Sequence, residues 1–429
     1  MENSDSIKLI SASEIGDYKQ VVDLLENLKV DPNSCSDTSG ERRSALHRAA
    51  AYGHIDTIAA LIQAGADIKK QSAAGRLALH EACIGGQPEA VKLLSVMNTD
   101  TIDQQDSNLQ TPSHLAALHG EEECVKLLLE SGCDPCIGDR EGKTVAHISC
   151  VRDKSNIIKL LFNYGIDFEN SDNNGRYPIH VAAANGSLNC IKTLISYDGD
   201  VNARDKLGCQ PLHYAASHGH LDCLQYLAKQ GAKLQSVDDY GRSATHFAAK
   251  HGAVKVLHWL LETKIETNNQ DSNGETPLHF SVKFAQAQCA NCLLQHGASL
   301  QIQSKKEEDV IQCARSSGHP NLILDAVENK IRCPLCEKQY QVINWESKHQ
   351  PNAAKKFLDS AKVGYSLPNL KEMGKPTISF REKNRQKRDR ILTEKAKRER
   401  KNEFSPRNLA AKFYGLHPKE IESKKPRGY

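Results

Sequence analysis

The sequence has no apolar run approaching the ~18–20 residues that a bilayer-spanning helix needs, so no membrane association is expected. Its first residues, Met1-Glu2-Asn3-Ser4-Asp5-Ser6, are acidic and polar, without the basic and apolar regions of a secretory signal. The expectation is a cytoplasmic and/or nuclear protein whose 14 cysteines stay reduced. Catalytic signatures are also lacking. There is no Gly-x-Ser-x-Gly elbow, no glycine-rich phosphate loop followed by Lys, and no His-Glu-x-x-His. On that ground the chain reads as a non-enzyme with no cofactor, a single zinc candidate aside.

What is present is unevenly distributed. Residues 331–429 carry 25 Lys/Arg against 11 Asp/Glu, whereas the preceding 330 residues carry 31 against 42. An acidic body followed by a basic tail implies two parts with different work.

The body is periodic. A four-residue pattern recurs as Ser44-Ala-Leu-His47, Leu77-Ala-Leu-His80, Thr111-Pro-Ser-His114 and Thr144-Val-Ala-His147. It continues as Tyr177-Pro-Ile-His180, Gln210-Pro-Leu-His213, Ser243-Ala-Thr-His246 and Thr276-Pro-Leu-His279. The histidines are 33 residues apart, with one spacing of 34. In each unit Thr or Ser is placed to cap a helix, and Pro suits the first helical position, where no N–H is needed. Small residues follow, then a glycine (Gly120, Gly186, Gly219, Gly252) fit for a left-handed C-cap. A second helix carries apolar residues three and four apart, such as Cys124, Leu127 and Leu128. Asp-x-x-Gly hairpins join the units, as in Asp139 to Gly142 and Asp238 to Gly241.

This unit closely resembles the ankyrin repeat, whose ~33-residue period and Thr-Pro-Leu-His signature it carries. The resemblance covers roughly residues 7–331. It implies an all-α fold with β-hairpin loops: an α-solenoid of eight full repeats between two degenerate caps, at 7–30 and 309–329. Leu109 and Arg42 stand where hairpins carry glycine, and Val151-Arg152-Asp153 replaces a helix-ending glycine, so stacking is expected to be imperfect there. The expected domains are 1–331 (solenoid), 332–370 (a Cys/His-containing linker) and 371–429 (a basic tail, disordered or partly helical).

The resemblance also implies protein binding on a concave face. The position after the hairpin glycine is basic at Arg43, Arg76, Lys143, Arg176 and Arg242, and His119, His218 and His251 stand late in first helices. These residues are candidates for gripping an acidic segment of a partner, against the reading that they are ordinary solvated charges. The signature histidines lie ~10 Å apart along such a stack, too far to share a metal ion, and read as hydrogen-bonded structural groups. Cys124, Cys190, Cys223 and Cys289 share one register and read as small core residues. Cys133-x-x-Cys136 and Cys289-x-x-Cys292 have no second ligand pair nearby in sequence. The segment from Leu194 to Asn202 resembles the pattern preferred by the asparaginyl hydroxylase of ankyrin repeats, making Asn202 a candidate modification site.

Beyond the repeats, Cys333-Pro-Leu-Cys336 followed by His349 forms the front of a two-Cys, two-His zinc site. The second His is missing, so either a remote ligand or a second chain completes the set, or the knuckle is metal-free. A RING would need eight ligands, which this tail cannot supply. Residues 381–401 hold eleven basic and four acidic residues, a pattern for nuclear import, polyanion contact or partner docking. Aromatics for base stacking are nearly absent there, which argues against sequence-specific RNA reading. Ser405-Pro406 is a candidate for a proline-directed kinase. The resulting expectation is a protein-binding adaptor or scaffold with a tail for localisation or tethering. The alternatives are a nucleic-acid-associated regulator acting through that tail, and a ubiquitin-ligase or zinc-dependent adaptor built on Cys333 and Cys336.

Overall fold

The computed structural model describes residues 4–35, 40–327 and 333–336. These fall into two compact units, divided between Asn173 and Asn174. Among the described residues there is no β-strand, only the isolated bridges Cys35–Ser44 and Val237–Ser243. The linking hairpins are thus tight turns and not sheet. No helix among them is long and apolar enough to cross a membrane.

The first unit stacks five helix pairs. They are α1 (Ser4–Ile15) with α2 (Tyr18–Glu26), α3 (Ala45–Tyr52) with α4 (Ile55–Gln63), and α5 (Ala78–Ile84) with α6 (Pro88–Met97). Next come α7 (Pro112–His119) with α8 (Glu122–Glu130), and α9 (Val145–Val151) with α10 (Ser155–Asn163). The second unit continues with α11 (Pro178–Asn185) and α12 (Leu188–Ser196), α13 (Pro211–His218) and α14 (Leu221–Lys229), and α15 (Ala244–His251) and α16 (Val254–Glu262). It ends with α17 (Pro277–Lys283) and α18 (Ala287–Gln295), then α19 (Val310–Ser316) and α20 (Leu322–Val327). Eight full repeats and a degenerate pair at each end are therefore observed.

The first helices of the full repeats are seven or eight residues long, most starting on Pro or Ala, and each is followed within two residues by a residue of positive φ. First helices stack on first helices, α3 on α5 and α13 on α15, through buried alanines such as Ala49, Ala82 and Ala216. The approach is close: a Cβ on Gly85 would run into the backbone carbonyl of Ala51. The second helices bury one stripe, as with Cys124, Val125 and Leu128 of α8. Burying one Leu in this way stabilises by about 1.5–3 kcal/mol.

The backbone imposes its left-handed positions even where glycine is absent. Arg42, Leu109 and Asp153 adopt φ of 49°, 59° and 54°, in the places other repeats give to glycine. The stack is thus regular at these departures, with local strain taking the place of the expected irregularity. A left-handed L-residue costs roughly 1–2 kcal/mol.

The signature histidines explain the repeat's spacing. His246 is buried; its Nδ1 accepts the Ser243 backbone N–H at 3.1 Å and lies 2.8 Å from the Ser243 hydroxyl. Its Nε2 lies 3.1 Å from the carbonyl of Glu275, 29 residues on. Because Nδ1 accepts an N–H, the ring is the neutral Nε2–H tautomer, and Nε2 donates to that carbonyl. His47 and His114 make the same bridge to the carbonyls of Arg76 and Lys143, at 2.9 and 2.8 Å. The Thr or Ser hydroxyl expected to cap the helix directly instead makes its short contact with the histidine Nδ1, at 2.7 Å for Thr111. Most hairpins are held by an Asp: Asp238 Oδ1 accepts from the N–H groups of Tyr240 and Arg242, at 3.0 and 2.8 Å, whereas Ser72 takes that place before Arg76.

Candidate metal centre and basic edge

In the second unit four soft donors meet. His258 lies on α16, Cys292 on α18, and Cys333 and Cys336 on the segment after the last repeat, of which 334–336 is helical. Their ligand atoms all lie within 4.8 Å of one another. His258 Nδ1 is 3.4 Å from Cys336 Sγ and 3.8 Å from Cys292 Sγ, and the Cys292 and Cys336 sulfurs are 3.7 Å apart. Cys292 and Cys333 are fully buried, and all three cysteines are reduced.

The surroundings fix this geometry. Glu262, one helical turn after His258, stands 3.3 Å from its Nε2, leaving Nδ1 to face the sulfurs. Asn291 is buried beside Cys292; its Oδ1 accepts the Cys333 backbone N–H at 2.8 Å and its Nδ2 donates to the Ala326 carbonyl at 2.9 Å. The segment after the repeats is thereby tied to α18 and α20. The sulfurs of Cys333 and Cys336 push the His258 pKa up to about 10. The Cys336 thiol is held far below its usual range, chiefly by the neighbouring sulfurs of Cys292 and Cys333 with help from His258. Three thiols and one imidazole, with the His296 ring alongside at 4.0 Å from the Cys292 sulfur, are chemically a metal-chelating set.

Sequence reasoning named Cys333 and Cys336 but not their partners. His349 lies outside the described residues, and the four-donor cluster forms without it. The view that Cys292 has no second ligand pair nearby is corrected, since the pair is brought in from 41 and 44 residues away by the return of the chain. Cys133 and Cys136 join no such cluster among the described residues. Cys124, Cys190, Cys223 and Cys289 are buried core residues, as their register predicts.

The basic residues after the hairpins are mostly matched by carboxylates of the chain itself. Arg43 lies 3.3 Å from Glu41 and 3.4 Å from the buried Glu81, whose carboxyl is raised by burial. Arg76 pairs with Asp106 at 3.3 Å, Lys143 with Glu141 at 2.7 Å, and Arg242 with the buried Asp238 at 2.6 Å. Arg176 is engaged too. His119, His218 and His251 are exposed. His251 Nδ1 lies 3.0 Å from the Ser217 hydroxyl of the preceding repeat, and partial burial lowers its pKa. Around Arg242 and Lys250 the second unit also gathers rings. The Arg242 guanidinium sits 4.9 Å from the Tyr240 ring and 5.0 Å from Phe247, and Lys250 Nζ sits 5.2 Å from Phe284. Tyr240 and Phe284 are 51% and 41% exposed, so this patch presents apolar area with charge at its rim.

Asn202 stitches neighbouring repeats: its Oδ1 accepts the Lys233 N–H at 3.0 Å and its Nδ2 donates to the Gly231 carbonyl at 3.3 Å. Asn33 and Asn268 make the same stitch to Asp67 and Gly65, and to Ser299 and Gly297. Ser405 and the basic run 381–401 lie outside the described residues.

A family model described as "Ankyrin repeats (3 copies)" matches residues 9–106, 86–172, 113–205, 166–238 and 230–305. Over 123 residues, 28% of this chain and 24% of the relative, the sequence is 36% identical to the "Probable E3 ubiquitin-protein ligase XBOS32" of Oryza sativa subsp. japonica. It is 33% identical over 125 residues, 28% and 23%, to the "E3 ubiquitin-protein ligase XBAT33" of Arabidopsis thaliana. It is 32% identical over 85 residues, 20% and 13%, to the "Ankyrin repeat and SOCS box protein 2" of Bos taurus. The chain thus spans about a quarter or less of the length of these relatives. The expectation of a non-enzyme is corrected by these matches. Repeats of this kind occur in proteins named as ubiquitin ligases, which are enzymes, so a lack of catalytic motifs in the sequence does not exclude an enzymatic role.

Proposed function

The chain belongs to the ankyrin-repeat family, and from that premise we propose that it works as a protein-binding adaptor whose second unit receives a segment of its partner on the patch around Tyr240, Arg242, Phe247, Lys250 and Phe284. The observation carrying this reading is that patch itself: exposed aromatic rings interleaved with cations, the composition of protein-binding hot spots. Aromatic anchors, with the Asp238-paired Arg242 guanidinium stacked among them, supply buried area on binding, while Lys250 favours acidic residues flanking an apolar core in the partner segment. The basic tail serves for localisation or tethering in this reading. Capture with quantitative mass spectrometry tests it, comparing the wild type with Tyr240→Ala/Phe284→Ala and with charge reversal at Arg176 and Arg242. Loss of the same leading partner in both variants, at unchanged helicity, is expected; retention in both overturns the assignment.

A second reading is favoured by the relatives' names: the repeats present a bound protein for ubiquitin transfer. Under it, removing this chain from cells lowers ubiquitin attached to the captured partner. An unchanged ubiquitin level on that partner removes the reading and leaves the binding role intact.

A further inference from the structure

We propose that His258, Cys292, Cys333 and Cys336 form a closed tetrahedral zinc site that fastens the chain after the last repeat onto the second helices of the two final full repeats.

Geometry is the first support. Zinc bound at ~2.3 Å to sulfur and ~2.0–2.1 Å to nitrogen, at tetrahedral angles, sets sulfur–sulfur edges of about 3.8 Å and sulfur–nitrogen edges of about 3.5 Å. Three of the six edges are 3.7 Å between Cys292 and Cys336, and 3.4 and 3.8 Å from His258 to those sulfurs, and those to Cys333 lie within 4.8 Å. Donor chemistry is the second. Three thiolates and one imidazole select a soft or borderline tetrahedral ion, and four protein ligands leave no position for an activated water. The role is therefore structural.

Orientation of the ligands is the third. A metal-ligating histidine characteristically hands its other ring nitrogen to a carboxylate, and Glu262 stands at His258 Nε2 while Nδ1 faces the sulfurs. Asn291 holds the backbone of Cys333 from the same helix that carries Cys292, so the knuckle is aligned by a contact that needs no ion. Binding displaces to the buffer whatever protons the four ligand atoms carry, that on His258 Nδ1 included, and leaves three thiolates and a neutral imidazole around the cation.

The repeat register supplies an independent observation. The position of His258 is occupied in the earlier full repeats by Ala59, Lys92, Lys126, Lys159, Lys192 and Gln225, all at least partly exposed. At His258 and Asn291 that position becomes buried. The next position, filled elsewhere by Ala60, Leu93, Leu127, Leu160, Thr193, Tyr226 and Trp259, becomes Cys292. Repeat packing alone asks for none of these changes, and all of them face the returning segment.

The test uses the full chain purified under reducing conditions. Native mass spectrometry and elemental analysis should find about one zinc per chain, as a single closed site requires. After metal removal, cobalt(II) should restore the intense visible bands of a tetrahedral thiolate site. Cys336→Ser and His258→Gln should abolish the bands and the bound zinc. Cys136→Ser and His349→Ala should leave both in place, with circular dichroism showing that the repeats stay folded in every variant. Cys336 follows the last repeat, so its loss spares the stack. A chain that takes up neither metal overturns the site. So does a Cys336→Ser variant that binds like the wild type, and metal loss in His349→Ala overturns this ligand set.

Discussion

Acid should weaken this protein through its buried signature histidines, and His246 allows the effect to be isolated. Burial lowers its pKa from 6.5 to about 4, outweighing the opposing hydrogen bond to the Glu275 carbonyl. The folded pKa lies below the unfolded one, so between the two the unfolded chain binds more protons. The stabilisation is therefore complete above the unfolded value, is lost as pH falls through it, and levels off below the folded value. A shift of about 2.5 units corresponds to about 3.4 kcal/mol in the limit, of which about 2 kcal/mol is lost by about pH 5. The chain itself supplies the control. At the last, degenerate repeat Gln312 replaces the histidine, and its Oε1 accepts the Asp309 N–H at 2.9 Å. His246→Gln should thus keep the helix-start bond, retain a donor toward Glu275, and remove the titration. Urea unfolding, followed by circular dichroism at neutral pH and at about pH 5, should show the acid penalty shrinking by about 2 kcal/mol in the variant. An unchanged penalty, or an NMR titration placing the His246 midpoint at an ordinary histidine value, would refute the reasoning.

Other outcomes follow from the same geometry. Leu109→Gly should stabilise the first unit by about 0.5–1 kcal/mol in urea unfolding, because it relieves a left-handed residue at some cost in unfolded-chain entropy. Little burial is lost, as Leu109 is 44% exposed. Gly85→Ala should destabilise by about 1–3 kcal/mol through overpacking against the Ala51 carbonyl, read as a lower unfolding midpoint. Asn202→Ala removes two bonds to the next repeat and should cost about 1–2 kcal/mol, with faster amide exchange at Lys233 as its local signature.

The periodic histidines, the caps and the hairpin aspartates made the helix-pair stack legible in the sequence, because each is a local hydrogen-bonding device whose partners lie at fixed offsets. The cysteines of the second helices were legible as core for the same reason. Regularity at Leu109 and Asp153 was not: the sequence there argues for disturbed stacking, and only packing of the surrounding repeats holds those residues at positive φ. The basic stripe was legible as composition, yet the carboxylates that neutralise Arg43, Arg76 and Arg242 come from turns and adjoining helices.

The four-donor cluster divides most clearly between the two levels. Sequence alone determined that Cys333 and Cys336 are a knuckle short of ligands, since a two-residue spacing is a local property. It also carried a faint sign of the rest, in His258 and Asn291 standing where four earlier repeats carry Lys. Which side chains complete the set was decided by tertiary structure, because His258 and Cys336 are 78 residues apart along the chain. Only the stacking of α16 on α18, and the return of the chain across them through Asn291, brings those atoms within bonding reach of one ion.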